Sequence, residues 1–394
     1  MKNSKLFRAS LILLLLIAGT LPVVFHVPKP SKPLWPGSKF TEQDRDAAAE
    51  RGLAYIGKVA SDRKQFSLWG SDLLWCFYSI SNTAKNEHLR GMALRIGQER
   101  ARQWRSDHPF LMFTSPSEFT MFVFGTDSAD RLLGDHDEKI RRDIIKVAAA
   151  FDAVDFLSFN PRIEPPPRDI PEVCPKCSYQ NHRGATHCAR CRTALDFLDP
   201  YDVWEDALVT TYSGDIYGVK LGASYADVVK WAGVMRPYPS PGRLQEGEID
   251  DEFGSITYAV THLIYTQNDY GMYRLSPDSM PQEFDFLRAN IGVAQNQGNG
   301  EILGEFLDTL RAFGRNDSDP EMRKAIEYLL LTQNPDGSWG DTTEDVYTRY
   351  HSTWTAVDGL RQYAYRGERR PNLPAALPAR HAQVHAFSRS VAAH

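Results

Sequence analysis

The chain has 394 residues, of which 42% are hydrophobic and 24% charged, and its formal net charge is -5. That is the balance of a globular protein, with room for one large core or two modest ones. The slight acid excess supplies no basic face, so a nucleic-acid partner is not expected.

The first element is apolar. Lys2, Lys5 and Arg8 precede "ASLILLLLIAGTLPVVFHV", an uncharged run long enough, at ~1.5 Å per residue, to cross a hydrocarbon layer of ~30 Å. It predicts a signal anchor, a transmembrane helix over residues 1–28 that leaves the protein membrane-bound. A cleaved signal peptide is the rival, disfavoured by the length of the run and the lack of a small-x-small site. Lys29, Lys32 and Lys39 balance the cations on the other side, so charge leaves the orientation open. Residues 29–40 are Pro-rich and predict a stiff spacer.

From Thr41 onward the pattern is almost all helical. Thr41 and Asp44 have the spacing of a capping box opening the run to residue 60. Further runs lie near 70–83, 87–106, 117–134 and 138–153, then near 202–212, 223–232, 253–267, 279–290, 301–313, 319–332 and 351–365. No alternating strand pattern lies outside the interruption between them. Helices in hairpin pairs build either a solenoid or a closed α/α toroid. A solenoid needs a fixed period of about 34–47 residues, which the sequence lacks. The expected fold is therefore all-α, an α/α toroid over 41–160 and 200–368, with a tail over 369–394 expected to be disordered.

The interruption, over 161–199, carries Cys174, Cys177, Cys188 and Cys191 as C-x2-C-x10-C-x2-C. Each pair places two thiolates on one knuckle, and two knuckles complete a tetrahedral Zn2+ site, with Gly184 easing the turn between them. The pattern resembles small zinc ribbons, which implies structural zinc or a protein-contact module. Disulfides or a redox pair are the other readings. His182 and His187 are expected to be bystanders, and Cys76, in "SDLLWCFYSIS", a core residue.

Near the C-terminus "QNPDGSWG" separates two helical runs, and Ser352 or Thr353 is predicted to cap the second. Gln333, Asp336, Gly337, Ser338, Trp339 and Gly340 in this stretch resemble the QW-type repeat of the terpenoid cyclase and protein prenyltransferase superfamily. The resemblance covers one copy of about 30 residues. It implies an α/α toroid in which Gln and Trp tie outer helices together, and polyprenyl cyclisation or transfer only by analogy of fold. "EIDD" at Glu248–Asp251 is comparable with the acid motif of proton-initiated cyclases, but acids there also suit a helix start. No cysteine in the C-terminal half matches the prenyltransferase zinc pattern.

Three segments concentrate polar and aromatic residues. The first holds Tyr212, Asp215 and Tyr217 between Gly214 and Gly218. In the second, Tyr258, His262, Tyr265, Thr266 and Asp269 share one helical face, and in the third His351, Trp354 and Asp358 do so. Asp215, His262 and His351 are the candidate catalytic residues. They would serve as an acid/base set, or two His and a carboxylate would form an open metal site. Alternatively each His is a satisfied core residue. The sequence thus points to a membrane-anchored protein working in its central cavity on an apolar, lipid-like or glycan substrate. The competing expectation is a non-catalytic scaffold that contacts proteins through its ribbon and rim.

Overall fold

A computed structural model describes residues 40–241 and 250–375. The predicted anchor, most of the Pro-rich spacer, Glu248 and the tail from residue 376 lie outside the described residues. Among the described residues no helix is long and apolar enough to cross a membrane.

Fourteen α-helices are described. α1 (Glu42–Ser61), α2 (Arg63–Thr83), α3 (Glu87–Asp107), α4 (Pro116–Leu133), α5 (Glu138–Ala148) and α6 (Ala153–Leu157) precede the cysteine segment. After it come α7 (Pro200–Tyr217), α8 (Tyr225–Val229), α9 (Ala232–Met235), α10 (Asp251–Asn268), α11 (Pro281–Asn296), α12 (Gly300–Ala312), α13 (Pro320–Thr332) and α14 (Val346–Leu360). Most starts are written locally. The Thr41 hydroxyl accepts from the Asp44 amide at 3.1 Å while the Thr41 amide donates back to the Asp44 carboxylate at 2.8 Å, the reciprocal box that the spacing predicts. Pro116, Pro200, Pro281 and Pro320 open their helices at the position where a missing N–H costs nothing. Asp250 caps α10 by accepting from the Phe253 amide at 3.0 Å, so the acids there start a helix.

α14 departs from expectation. It begins at Val346 because Asp345 takes the Thr348 amide at 3.1 Å, more than a turn before Ser352 and Thr353. His351 therefore sits inside the helix rather than at its lip. The predicted all-helical pattern also misses a parallel two-residue pair, β1 (Arg274–Leu275) with β2 (Glu368–Arg369). That pair holds the start of the expected disordered tail. The Pro374 carbonyl, further on, accepts from buried Arg236 at 2.6 Å. Residues 369–375 are thus ordered because their backbone groups find partners.

Helix contacts run in a closed circuit: α2 on α4, α4 on α7, α7 on α10, α10 on α12, α12 on α14, and α14 back on α2. The remaining long helices lie outside this circuit. α1 packs on α14, α2 and α3; α3 spans α2 and α4; α11 and α13 back α12. α5 lays Ile140 and Ile144 against Phe119 and Tyr217 in a smaller apolar cluster. α12 is the most enclosed element, with every residue from Ile302 to Ala312 buried. Gly304 and Gly359 let α12 and α14 touch backbone to backbone, leaving no room for a Cβ at either.

The "QNPDGSWG" turn locks this ring. The Gln333 side-chain amide donates to the Ala48 carbonyl at 2.9 Å and to the Gly337 carbonyl at 3.0 Å, while its oxygen accepts from Arg51 of α1. The Trp339 indole N–H donates to the Leu329 carbonyl at 2.8 Å, and its amide donates to the Thr353 hydroxyl at 3.0 Å. Gly337, at φ 90°, places its Cα against the Arg51 carbonyl, where neither the backbone angle nor the space admits a side chain. These residues tie the turn between α13 and α14 to α1, the architectural role expected of them.

Candidate active site and four-thiol centre

Within the circuit of helices lies a partly open cavity of about 60 Å3. α10 supplies His262 and Tyr265, α12 supplies Glu305 and Asp308, and α14 supplies His351, Trp354, Thr355 and Asp358. Ser79 from α2, Tyr270 just after α10, and Arg361 with Tyr363 just after α14 complete the lining. Arg361 is fully enclosed, pairs with Asp358 at 2.5 Å, donates to the Thr83 hydroxyl at 2.8 Å and lies over the Tyr363 ring at 3.8 Å. The helix face predicted from His351, Trp354 and Asp358 thus faces the cavity as a unit.

His351 and His262 have opposite charge states. The His351 Nδ1 lies 2.9 Å from Glu301 Oε1. Burial alone would lower its pKa, but Glu301, with Asp72 and Glu305 beyond it, raises it to about 9, so the ring is a cation at neutral pH. Glu301 also accepts from the Tyr258 hydroxyl at 2.6 Å and the Ser352 hydroxyl at 3.2 Å. Burial opposes its ionisation, yet His351 and these donors hold its pKa below the ordinary value. His262 has only a longer carboxyl contact, from its Nε2 to Glu205 at 3.5 Å. Its Nδ1 lies 2.8 Å from the Tyr258 carbonyl, an acceptor only, so Nδ1 carries the hydrogen and Nε2 is left with a lone pair. Burial lowers this ring to about 4, and the nearby His351 charge adds to the effect.

Burial raises the pKa of every carboxyl on the wall. Glu305 accepts from the Thr261 hydroxyl at 2.6 Å, but burial and then the Glu301 charge raise its pKa to about 8. Burial and the neighbouring Asp358 carry Asp308 to about 7. Glu205, from α7, is 4% exposed and places Oε1 3.5 Å from His262 Nε2; burial, then Asp206 and Asp202, push it well up. On α12, therefore, an ionised Glu301 and a protonated Glu305 stand one helical turn apart.

The third candidate catalytic residue does not belong here. Asp215 is exposed near the end of α7, where its carboxylate accepts from the Tyr225 amide at 2.8 Å. Two residues from the helix end, it is carried away from the ring axis and braces the start of α8. Asp269 also departs from its predicted face. It ends α10 in a left-handed conformation and accepts from the Tyr212 hydroxyl at 2.6 Å. Thr266 bonds to the Tyr225 hydroxyl and Tyr217 to Asp130, both away from the cavity. Nor do His262, His351 and a carboxylate gather as metal ligands: among the described residues only the cysteines form a group of that kind. Sequence reasoning missed Asp72, Glu205, Glu301, Glu305 and Asp308. The signal was present, since Glu301, Glu305 and Asp308 stand at i, i+4 and i+7 on an otherwise apolar segment, "EILGEFLDTL".

The second centre is local. In "CPKCS" the Ser178 amide donates to the Cys174 carbonyl at 2.8 Å, and in "CARCR" the Arg192 amide donates to the Cys188 carbonyl at 2.9 Å. Ser178 and Arg192 both take positive φ, at 52° and 64°, so each knuckle is the same tight turn written twice. The four sulfurs lie within 4.8 Å of one another, with Cys174–Cys191 at 3.3 Å and Cys177–Cys188 at 3.6 Å. A disulfide needs about 2.05 Å, so these are four free thiols, spaced as ligands of one metal ion would be. His182 and His187 are exposed and outside the group. The segment closes on itself at its base, where Pro171 bridges Phe197 and the Leu198 amide donates to the Ile170 carbonyl at 2.9 Å. Cys76, by contrast, is fully enclosed in the main core, as predicted.

Comparison of the chain with protein-family models, with curated proteins and with solved structures gives no match in any of the three.

Proposed function

We propose that the protein is an acid–base hydrolase that cleaves a glycosidic bond in the central cavity of an α/α toroid. The observation that carries this reading is the placement of two acids of α12, Glu305 and Asp308, side by side in the cavity wall, with Glu305 pushed up to about 8 by burial and by the Glu301 carboxylate that His351 holds at 2.9 Å. Two such acids in one wall supply a proton donor and a proton acceptor. In the reaction, Glu305 gives its proton to the leaving oxygen as the glycosidic C–O bond breaks. Asp308, near 7, accepts a proton from the attacking water. Tyr265, Tyr270 and Trp354 offer ring faces against which a sugar can lie.

The closed circuit of helices and the ties made by Gln333 and Trp339 support the toroid and, with it, the terpenoid cyclase-like and prenyltransferase-like resemblance of fold. A lipid-like substrate suits the aromatic rings but leaves the wall of Glu305, Asp308 and Asp358 without work; hydroxyl groups would occupy it. The ribbon is a structural Zn2+ site in this reading, because four cysteine ligands leave no open position for catalysis. An N-terminal anchor would hold the toroid at a membrane, within reach of surface polysaccharide.

The test is release of new reducing ends from a panel of oligosaccharides by the full-length protein. Glu305→Gln should lower kcat by about 10²–10⁴-fold while leaving the thermal midpoint in place. Wild-type protein inert on every glycan would sink the hydrolase reading.

A further inference from the structure

The cavity has two ends, and one of them is stoppered. The four helices that line it, α2, α10, α12 and α14, run in the same direction. At one level the Tyr350 hydroxyl donates to Asp72 at 2.9 Å, and Glu301 meets Tyr258 and His351. Further along, Thr83, the last residue of α2, meets Arg361, the first after α14. The chain then crosses this second end as a strap. The Lys85 amide donates to the Gln362 carbonyl and the Ala364 amide to the Thr83 carbonyl, each at 2.8 Å. The Arg366 amide donates to the Met272 carbonyl and the Arg274 amide to the Gly367 carbonyl, again at 2.8 Å. Residues 361–367 thus stitch the end of α2 to the turn after α10. Their side chains fill the space between: the Arg361 guanidinium lies 3.8 Å over the Tyr363 ring, and Tyr363 stacks on Tyr365 at 5.5 Å. Gly271 lies so close to the Tyr363 ring that a Cβ there would collide with it. Exposure follows the same axis. Arg361 and Tyr363 are 2% and 8% exposed, whereas the His262 and His351 side chains are 20% and 21% exposed. Solvent reaches the cavity from the histidine end, and Arg361 and Tyr363 are its floor.

We infer that the cavity is a blind pocket for the non-reducing terminal sugar of a glycan chain, so that the protein removes residues one at a time from that end. Its 60 Å3 has room for ~4–6 water molecules at ~10–15 Å3 each, about the space of one sugar ring and too little for a chain to pass through. The two wall acids fix which end of the chain enters. Because α12 runs toward the floor, Asp308 lies one turn nearer to Tyr363 than Glu305 does. Water that gives its proton to Asp308 therefore reaches the anomeric carbon from the floor side. As the new bond from water to that carbon forms, the glycosidic bond breaks, and the leaving oxygen takes the Glu305 proton on the side of the mouth. The sugar in the pocket keeps its anomeric carbon and the rest of the chain departs through the mouth, which is attack at the non-reducing end.

This inference rests on the glycosidase reading, and the experiment separates the two. Cellohexaose, xylohexaose, maltohexaose and chitohexaose, each labelled at the reducing end, are digested with the full-length protein, and the labelled products are sized from the earliest times. The first labelled product should be the pentasaccharide alone. A benzyl ether on the non-reducing sugar of the chain that is cut should leave it uncut. Any other first product overturns the blind pocket and leaves the hydrolase reading standing: a labelled monosaccharide reverses the orientation, and a ladder of fragments means an open channel. Unimpaired cleavage of the benzyl-capped chain rejects entry by the non-reducing end. No cleavage of any hexasaccharide overturns both readings.

Discussion

The cavity and the four-thiol centre are both clusters of ionisable side chains, yet they are built in opposite ways. The thiols come from 18 consecutive residues, Cys174 to Cys191, and two repeats of one turn place them. Nothing else in the fold is needed. The cavity takes Ser79, His262, Glu305 and His351 from four helices spread over most of the chain, and the charge states of its acids and histidines exist only after the ring closes. A local site can lose its function without disturbing the body. A distributed site fails whenever the body does. Experiments that split local from distributed effects are therefore the useful ones.

The largest expected effect is on the local side. Changing Cys174 and Cys188 to Ser removes one thiol from each knuckle, and a zinc ion held by all four thiolates would contribute on the order of 10 kcal/mol of apparent binding energy. Metal analysis should find one zinc in the parent and none in the variant. The segment from 171 to 198 should open to protease while the helical body keeps its thermal midpoint. Simultaneous collapse of the helical body would mean the two regions are not independent.

Next comes Trp339→Ala, on the distributed side. The indole is 1% exposed, donates to the Leu329 carbonyl and lies against Gly52 of α1. Truncating a buried Trp costs about 3–5 kcal/mol. Denaturant unfolding should show a loss of that size together with weaker catalysis, because α14, which bears His351, loses its anchor to α1. Normal stability would mean that the turn does not lock the ring.

A smaller effect is expected from pH. The Glu305 pKa is raised from its ordinary 4.5 to about 8, so its contribution to stability is full below 4.5 and lost as pH rises through 8. His351, raised from 6.5 to about 9, contributes fully below 6.5 and loses that contribution as pH rises through 9. His262, depressed to about 4, acts on the acid side, so it does not interfere above 6.5. Between pH 6.5 and 9 the thermal midpoint should fall, and Glu305→Gln should flatten the part of the slope below 8. Identical slopes in the two proteins would place the Glu305 proton elsewhere.

What could be read from sequence follows the same division. C-x2-C-x10-C-x2-C specifies its own geometry, so the group of four thiols was legible, as were the cap at Thr41 and the acidic helix start near Asp250. His351, Trp354 and Asp358 were legible because three residues of one helix need only helical periodicity. The start of α14 was not, because Asp345 outcompetes two later hydroxyl caps. Glu205 could not be paired with His262 from sequence at all: 57 residues separate them, and only the packing of α7 on α10 brings them together. The acids of α12 were visible but passed over, and acids on a helix usually mark a solvated face. Here the intervening Ile302, Leu303, Phe306, Leu307 and Leu310 are apolar and argue for an enclosed helix.

The smallest expected effect tests that lesson most directly. Asp215 stood beside His262 and His351 as a sequence candidate, flanked by glycines as active-site acids often are. The structure gives it one task, accepting the Tyr225 amide at 2.8 Å on an exposed surface. Asp215→Ala should therefore cost about 0.5–1.5 kcal/mol, the worth of one such hydrogen bond, and leave kcat unchanged. Glu305→Gln should do the reverse, holding stability near neutral pH while removing turnover, because Gln replaces a carboxyl that is already protonated there. If Asp215→Ala instead abolishes activity in a folded protein, the reacting atoms lie at the α7–α8 end of the ring. The acids of α12 would then be a stability feature of an enclosed helix, and the division between local and distributed sites would have to be redrawn around α7.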